Sequence, residues 1–349
     1  MDEIRPGLRD FAAGLPKAEL HVHHVGSASP RIVAELAGRH PDSPVPKDPA
    51  ELAEYFTFRD FAHFIEVYVS VVDLVRDAED VRMLTYEVAR EMAGQTIRYA
   101  ELTVTPYGFT KRGIPEEAVM EAIEDSRHAA ARDFGVALNW CFDIPGELGL
   151  PAAEATARMA CELRPDGLVS FGLGGPEIGV PRGQFAPYFD RAVAEGLRSV
   201  PHAGESSDAQ SVWDALDALR AERVGHGIRS ADDPALMAHL AERGIPLEVC
   251  PTSNVATQSV ASLADHPLPR LVAAGVPVTI NSDDPPMFGT DLTSEYLVAA
   301  RLLELDEAGL AALARSAVDA SFLDTPLKSR LTAEIDDYLT SWQRTEEQL

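Results

Sequence analysis

Histidines and acidic residues occur in four short motifs that lie far apart in the sequence. They are His21 and His23 of ELHVH, His202 and Glu205 of HAGE, His226 of VGHG, and Asp283 and Asp284 of SDD. Imidazole nitrogens and carboxylate oxygens are the usual protein ligands of Zn²⁺ and similar divalent ions. Residues two apart on a strand point to the same side, so His21 and His23 can share one ion. The set therefore predicts a metal site with acid–base groups beside it.

Each of these residues also has an ordinary structural explanation. A lone HxH is a weak metal signal, and His202 or His226 could be a buried histidine with satisfied hydrogen bonds. Asp283 and Asp284 could instead cap the next helix. The metal site is favoured because every one of these motifs ends a predicted strand.

The other histidines of the chain are expected to have no part in this chemistry. We interpret as solvated or structural those that lie in predicted helices or loops: His40, His63, His128, His239 and His266. His24 follows the HxH directly, so its side chain should point away from that of His23 if the strand continues.

Eight β-rich segments recur along the chain, each followed by a stretch rich in Ala, Leu, Glu and Arg. The predicted strands are Glu19–His23, Tyr99–Thr105, Val136–Asp143, Leu168–Leu173, Arg198–His202, Arg223–His226, Pro246–Cys250 and Val276–Asn281. Strands that alternate with helices pair in parallel, and eight such units fit a closed barrel. We therefore predict an α/β fold, a (β/α)8 TIM barrel with its site at the carboxyl ends of the strands. An open doubly wound sheet, the alternative, would need a Gly-rich phosphate loop that we do not find.

A long connection separates the first two predicted strands. Residues 30–95 are predicted to form several helices, inserted into a single barrel domain that spans residues 1–349. Phe58, Phe61, Phe64 and Tyr68 recur there at helical spacing. Helix–helix packing is the favoured interpretation of these aromatics. A lid over the barrel mouth is the second, and one helix can do both.

The composition restricts the partners. The formal net charge of −26 disfavours binding to nucleic acid and to anionic membrane surfaces, but it says little about a small substrate, because a local pocket can oppose the overall field. Three scattered cysteines form no CxxC pair, and the first twenty residues contain no apolar signal region. We expect a cytoplasmic protein without a membrane span, and a homo-oligomer is compatible with the sequence.

The motifs resemble those of the adenosine deaminase family, within the amidohydrolase superfamily. The matching stretches are PKAELHVHHVGS (Pro16–Ser27), HAGE (His202–Glu205), VGHGI (Val224–Ile228), EVCPTSN (Glu248–Asn254), SDDP (Ser282–Pro285) and, more loosely, LGGPE (Leu173–Glu177). The resemblance implies one Zn²⁺ per chain, with four ligands: His21, His23, His202 and Asp283. Binuclear relatives carry a carboxylated lysine at the end of strand four, whereas this strand ends in Gly172–Gly175, so one ion is expected.

The resemblance also implies a reaction, the hydrolytic deamination of a 6-aminopurine nucleoside to the hypoxanthine nucleoside and ammonia. In it, Glu205 protonates N1 of the purine, and His226 orients and deprotonates the attacking water. Asp284 contacts N7, and the backbone amide of Gly175 contacts N3. Zinc suits this chemistry because it lowers the pKa of a bound water to about 7.

One position departs from the family pattern. Adenosine deaminases have an aspartate that contacts the ribose 5′-hydroxyl two positions after the HxH, and this chain has Val25. Because valine cannot accept that hydrogen bond, we expect a substrate without a free 5′-hydroxyl. Within the family this fits 6-aminodeoxyfutalosine, a precursor of futalosine in menaquinone biosynthesis, whose 5′ chain ends in a benzoate. The aromatic segment Phe56–Tyr68 and Arg59 are candidate contacts for that group. Adenosine, methylthioadenosine, 5′-deoxyadenosine and S-adenosylhomocysteine are the alternatives.

Two other classes of function are alternatives to a deaminase. One is a metal-assisted hydrolase of a cyclic amide or ester, which the HAGE motif and the missing strand-four lysine disfavour. The other is a non-catalytic protein that keeps the barrel. The presence of both Glu205 and Asp283 disfavours it.

Overall fold

A parallel barrel forms the centre of the molecule. In a computed structural model, which describes residues 5–58 and 61–346, eight strands pair in chain order. They are β1 (Lys17–His23), β2 (Ile97–Val104), β3 (Ala137–Pro145), β4 (Leu168–Gly174), β5 (Arg198–Ala203), β6 (Val224–His226), β7 (Leu247–Val249) and β8 (Val278–Ile280). The predicted (β/α)8 fold is confirmed, and every strand end lies within two positions of its prediction.

The end of β8 returns to β1 and closes the barrel at its carboxyl end. Asp283 N donates to His21 O at 3.1 Å, and His23 N donates to Asp283 O at 2.9 Å. One step below, the Asn281 side-chain oxygen accepts from Leu20 N at 2.9 Å. This pairing places the HxH and SDD motifs side by side, although about 260 positions separate them in the chain.

Helices cover the barrel and fill the long connection after β1. They are α1 (Pro6–Gly14), α2 (Pro30–Arg39), α3 (Pro49–Tyr55), α4 (Phe61–Val72), α5 (Ala78–Gly94), α6 (Pro106–Thr110), α7 (Glu116–Phe134), α8 (Gly149–Arg158), α9 (Ala186–Ala194), α10 (Ala209–Leu219), α11 (Pro234–Arg243), α12 (Pro251–Ala256), α13 (Leu268–Ala273), α14 (Leu292–Leu303), α15 (Glu307–Ala320) and α16 (Thr325–Glu346). The predicted insertion is thus helices α2 to α5. Among the described helices, none has the length and apolar character required to cross a bilayer.

Aspartate N-caps start several of these helices. Asp77, Asp208 and Asp233 each accept a hydrogen bond from a backbone N–H in the first turn of α5, α10 and α11, respectively. The helix after β8 follows the same rule, because Asp291 accepts from Ser294 N at 2.7 Å. Asp283 and Asp284 therefore do not cap that helix, and the structural explanation considered for them is wrong.

The aromatic residues of the insertion pack against the barrel mouth. The Phe64 ring lies 5.3 Å from that of Phe58 and 5.1 Å from that of Phe288, between ring centroids. Phe288 N donates to Asp284 O at 3.2 Å, so α4 contacts the loop that carries Asp284. Packing, the favoured interpretation, therefore holds for Phe58 and Phe64. Arg59 lies outside the described residues.

Lys17 lies buried at the opposite, amino end of the barrel. Its ammonium group donates to Ala12 O at 2.8 Å, Leu15 O at 2.7 Å and Thr96 Oγ1 at 3.0 Å. These bonds tie the end of α1 to the starts of β1 and β2. Burial lowers the pKa of Lys17 to about 7.

Candidate active site

Four side chains converge where β1, β5 and β8 end. His23 Nε2 lies 3.2 Å from both His202 Nε2 and Asp283 Oδ1, and His21 Nε2 lies 3.6 Å from the same Asp283 oxygen. Four ligands placed tetrahedrally about 2.0–2.1 Å from a Zn²⁺ ion are about 3.3 Å apart. The observed separations therefore suit one ion bound jointly by these atoms.

The electrostatics of this cluster favour a cation. Burial alone lowers the pKa of His21, but hydrogen bonds with Asp283 and Glu248 raise it to about 10. Burial likewise lowers the pKa of His23, and the charge of Asp284 and a hydrogen bond with Asp283 raise it to about 9. Although burial raises the pKa of Asp283, its bonds to the two imidazoles hold it well below the ordinary value. A divalent ion would supply the positive charge that protons supply here.

The backbone is strained at one of these four residues and at His226, which lies beside them. His226 and Asp283 have φ values of +58° and +67°, in the left-handed region that residues other than glycine rarely adopt. Such strain persists where the surrounding structure enforces it, and it concentrates at functional sites. Gly204 of HAGE has φ +65°, and a Cβ there would meet Val212 Cγ2 at 2.4 Å, so this turn requires glycine.

Glu205 and His226 face each other beside the cluster. Glu205 Oε2 lies 3.7 Å from His226 Nε2, which lies 3.8 Å from Asp283 Oδ2. Burial, with the charges of Asp283 and Glu177, raises the pKa of Glu205 to about 8. Burial lowers the pKa of His226 to about 4. At pH 7 the carboxyl group therefore keeps its proton and the imidazole is neutral.

Asp284 presents an oxygen that no described residue satisfies. Its Oδ1 is buried without a hydrogen-bond partner in the described structure, and burial raises the pKa of Asp284 to about 7. A Cβ on Gly26 would lie 1.5 Å from that oxygen, so any larger residue there would displace the Asp284 carboxyl group. Gly175 adopts φ +78° at the end of β4, and Val25 is buried with 6% exposure. All the predicted catalytic and metal residues thus meet at one end of the barrel.

Comparisons with known proteins agree with this geometry. Residues 16–338 match the adenosine deaminase family model. The chain belongs to the adenosine deaminase family. The predicted family and the predicted class of enzyme, a hydrolytic deaminase, are therefore confirmed.

Individual relatives of this deaminase are named for different substrates. An aminodeoxyfutalosine deaminase of Streptomyces avermitilis is 69% identical over 337 residues, which cover 96% of this chain and 94% of that protein. An adenine deaminase of Cupriavidus necator is 38% identical, with 93% of each chain covered. A crystal structure of an amidohydrolase from Burkholderia ambifaria, with bound Zn, has a TM-score of 0.90 at 26% identity and covers 99% of this chain and 96% of its own.

A series of buried ion pairs lies behind His21 of the deaminase. His21 Nδ1 donates to Glu248 Oε2 at 2.9 Å, and Glu248 Oε1 accepts from Arg223 Nε at 2.6 Å. Arg223 also donates to Glu101, and its guanidinium group lies 3.9 Å from the ring centroid of Phe322. Sequence reasoning assigned no role to these residues. The signal was present for Glu248, which begins the EVCPTSN match.

Glu177 holds the loop that carries Glu205. Its two carboxylate oxygens accept from the backbone nitrogens of Gly204 at 2.7 Å, Glu205 at 2.7 Å and Ser206 at 2.9 Å, and from Ser211 Oγ at 2.7 Å. Three successive amides around one carboxylate form an anion-binding nest. This residue was also missed, although it ends the LGGPE match.

The remaining neighbours come from the EVCPTSN segment. Ser253 Oγ donates to Asp283 Oδ2 at 2.5 Å. The Cys250 thiol lies within 4.8 Å of possible ligand atoms of His21, His226 and Asp283. His24 Nε2 lies 2.8 Å from Thr85 Oγ1 in α5, away from the cluster as predicted. His266 is buried with 4% exposure, which fits a structural histidine and not a solvated one.

Proposed function

We propose that this chain is a zinc-dependent deaminase that converts 6-aminodeoxyfutalosine and water to futalosine and ammonia, a step of menaquinone biosynthesis. The observation that carries this proposal is the 69% identity, over 96% of the chain, to the aminodeoxyfutalosine deaminase of S. avermitilis. The free cysteines Cys141, Cys161 and Cys250 are consistent with action in the cytoplasm.

One Zn²⁺ per chain would be held by His21, His23, His202 and Asp283. Their nitrogen and oxygen atoms match the donors that zinc prefers, and the spacing of 3.2–3.6 Å supports joint binding. When bound, the ion supplies a water that is nucleophilic at neutral pH. The other residues of the site act on the purine and on this water.

Glu205 is proposed as the acid. Addition of the water oxygen to C6 forms a C–O bond and moves an electron pair onto N1, which requires a proton there. Because its pKa is raised to about 8, Glu205 carries that proton at pH 7 and can donate it to N1. The proton of the new C6 hydroxyl then passes to the amino group, the C6–N bond breaks to release ammonia, and the C6–O bond becomes the carbonyl of the product.

The remaining contacts orient the ring. Asp284 Oδ1, buried and without a partner among the described residues, is proposed to face N7. Gly175 is proposed to donate its backbone N–H to N3. His226 Nε2 lies 3.7 Å from Glu205 Oε2, and it is proposed to contact the attacking oxygen. The purine would then be held on several edges at once, as reaction at C6 requires.

Val25 is proposed to set the preference at the 5′ side. Its buried side chain offers no hydrogen-bond acceptor where adenosine deaminases have an aspartate, so a free 5′-hydroxyl gains nothing there. Helix α4 is proposed as a lid, because Phe64 packs on Phe288 of the Asp284 loop. A long 5′ substituent would lie between this helix and the barrel mouth.

A substrate panel tests the proposal. Deamination of 6-aminodeoxyfutalosine, methylthioadenosine, adenosine and adenine would be followed by the absorbance change of the purine, with zinc content measured in parallel. We expect kcat/KM for 6-aminodeoxyfutalosine to exceed that for adenosine by at least about 100-fold. Glu205→Gln should be inactive, whereas Glu124→Gln, a control at the far end of the barrel, should keep the wild-type rate. A clear preference for adenosine would refute the argument from Val25.

A further inference from the structure

Two buried residues connect His226 to the backbone of α13. Asn254 Nδ2 lies 3.1 Å from His226 Nδ1, and His266 Nε2 lies 3.2 Å from Asn254 Oδ1. At the far end, His266 Nδ1 lies 3.1 Å from the backbone nitrogen of Leu268. The residues His226, Asn254 and His266 are at most 4% exposed, so water does not compete for these bonds.

The backbone N–H of Leu268 fixes the direction of every bond in this series. A backbone N–H can only donate, so His266 Nδ1 accepts and carries no proton. Burial lowers the pKa of His266 to about 4, so the ring is neutral with its proton on Nε2. That N–H donates to Asn254 Oδ1, which turns the amide NH₂ group of Asn254 towards His226.

The last bond determines where His226 holds its proton. Because the Asn254 amide donates to Nδ1, that nitrogen presents a lone pair, and the proton of the neutral ring lies on Nε2. Nε2 faces oxygen atoms, Glu205 Oε2 at 3.7 Å and Asp283 Oδ2 at 3.8 Å. An N–H is attracted to these oxygens, whereas a lone pair would be repelled by them.

We propose that Asn254 and His266 are positioning residues that hold His226 in its Nε2–H tautomer, so that His226 donates a hydrogen bond to the oxygen that attacks C6. The position of that oxygen rests on the proposed function. This role differs from the one implied by the family resemblance, in which His226 takes the proton of the water; here the water would release that proton to solvent, because zinc lowers its pKa to about 7. Nε2 already carries a proton, and Nδ1 is occupied by the amide of Asn254. A fixed N–H donor orients this oxygen towards C6, and it stabilises the negative charge that the same oxygen gains later, when its proton passes to the leaving amino group.

Nitrogen NMR of the zinc-loaded enzyme measures the tautomer directly. The ten histidines would be labelled with ¹⁵N, and the His226 signals assigned by their loss in His226→Gln. In the wild type, without substrate, we expect a protonated Nε2 and an unprotonated Nδ1 for His226. A His226 ring with its proton on Nδ1, or with protons on both nitrogens at pH 7, would overturn the proposal.

Asn254→Asp reverses the last bond of the series. A carboxylate accepts from both neighbours, so the proton of His226 should move to Nδ1. We expect kcat to fall about 100- to 1,000-fold, the usual cost of one lost donor to a developing oxyanion, while KM changes less than about threefold. Asn139→Asp is the matched control, because Asn139 donates to Tyr99 OH at 3.1 Å outside this series. It should change neither the His226 signals nor kcat.

A second variant keeps the test decisive if Asn254→Asp does not fold. His266→Ala frees the Asn254 amide to rotate, and we expect the His226 signals of both tautomers with a smaller loss of kcat. Wild-type signals and wild-type kcat in either folded variant would contradict the proposal. Failure of this proposal is distinguishable from failure of the proposed function. The NMR experiment measures the His226 tautomer without any substrate, and the substrate panel measures deamination whatever the tautomer of His226 is.

Discussion

Replacing Glu248 with glutamine should weaken zinc binding about 10- to 100-fold, the usual cost of a lost partner behind a metal ligand. Glu248 lies behind His21 and accepts from its Nδ1 at 2.9 Å. Both side chains are at most 2% exposed. The Glu248 carboxylate keeps the His21 proton on Nδ1, so Nε2 is free to bind the metal. The negative charge of this carboxylate also makes the imidazole a stronger electron-pair donor to the metal.

The size of the effect follows from what glutamine keeps and what it loses. The glutamine side-chain oxygen can still accept from His21 Nδ1, so the tautomer is preserved and only the charge is removed. A 10- to 100-fold loss of affinity corresponds to about 1.4 to 2.8 kcal/mol. Arg223 also loses one of its two carboxylate partners, and this part of the cost is expected to appear in folding stability.

Glu101→Gln separates these two effects. Glu101 is the other carboxylate partner of Arg223 and is fully buried. It forms no hydrogen bond with His21 in the described structure. Both variants should therefore lose stability in urea unfolding, whereas Glu248→Gln should show the larger loss of zinc affinity. Competition with a fluorescent zinc chelator gives the affinities, and circular dichroism checks the fold. Equal zinc affinities for the two variants would refute the reasoning.

Three further predictions follow from other parts of the structure. Val25→Asp should raise kcat/KM for adenosine relative to 6-aminodeoxyfutalosine by about 10- to 150-fold, since one new hydrogen bond to a charged group contributes about 1.5–3 kcal/mol; an unchanged ratio in the substrate panel would contradict this. Glu177→Gln should lower kcat about 100-fold with little change in KM, because the Glu205 loop loses its anchor; steady-state kinetics would show a wild-type kcat if the anchor were unimportant. Lys17 has a pKa lowered to about 7, so the folded state binds fewer protons than the unfolded state between pH 7 and the ordinary lysine pKa. The free-energy cost of burying the charged ammonium group is complete below pH 7 and is relieved as pH rises. The free energy of unfolding of the wild type relative to Lys17→Met should therefore increase from pH 7 to about pH 10 in urea unfolding. A pH-independent difference would contradict this prediction.

The strands, and the convergence of His21, His23, His202 and Asp283 at one rim, could be predicted because their signals are local. Each strand is an apolar run that ends in a polar motif, and the parallel barrel brings all such ends to one rim. His21 and His202 could therefore be placed together without a contact map. The same logic located Asp283, whose backbone bonds to β1 complete the rim.

The residues behind the site could not be predicted in this way, because their roles depend on contacts between distant parts of the chain. Arg223 and Glu101 are 122 positions apart, and neither lies in a recognisable motif. His266 shows the same limit, since in the sequence it resembles His40, another histidine outside the strands. His40 bonds Asp80 in the helical insertion, whereas His266 reaches His226 through one amide.

The environments of Glu205 and His226 shift their pKa values in opposite directions, to about 8 and about 4, and burial is the largest cause for both. At pH 7 these two groups, 3.7 Å apart, are therefore both neutral. In the proposed mechanism, a neutral Glu205 donates a proton to N1, and a neutral His226 held as Nε2–H donates a hydrogen bond to the attacking oxygen. Glu205 would act at N1, where negative charge develops during addition to C6, and His226 would act on the added oxygen, which gains negative charge as the amino group leaves, so both would stabilise a transition state more than the bound substrate. Burial of this pair, rather than a strong base, is then the main contribution of the protein at this step.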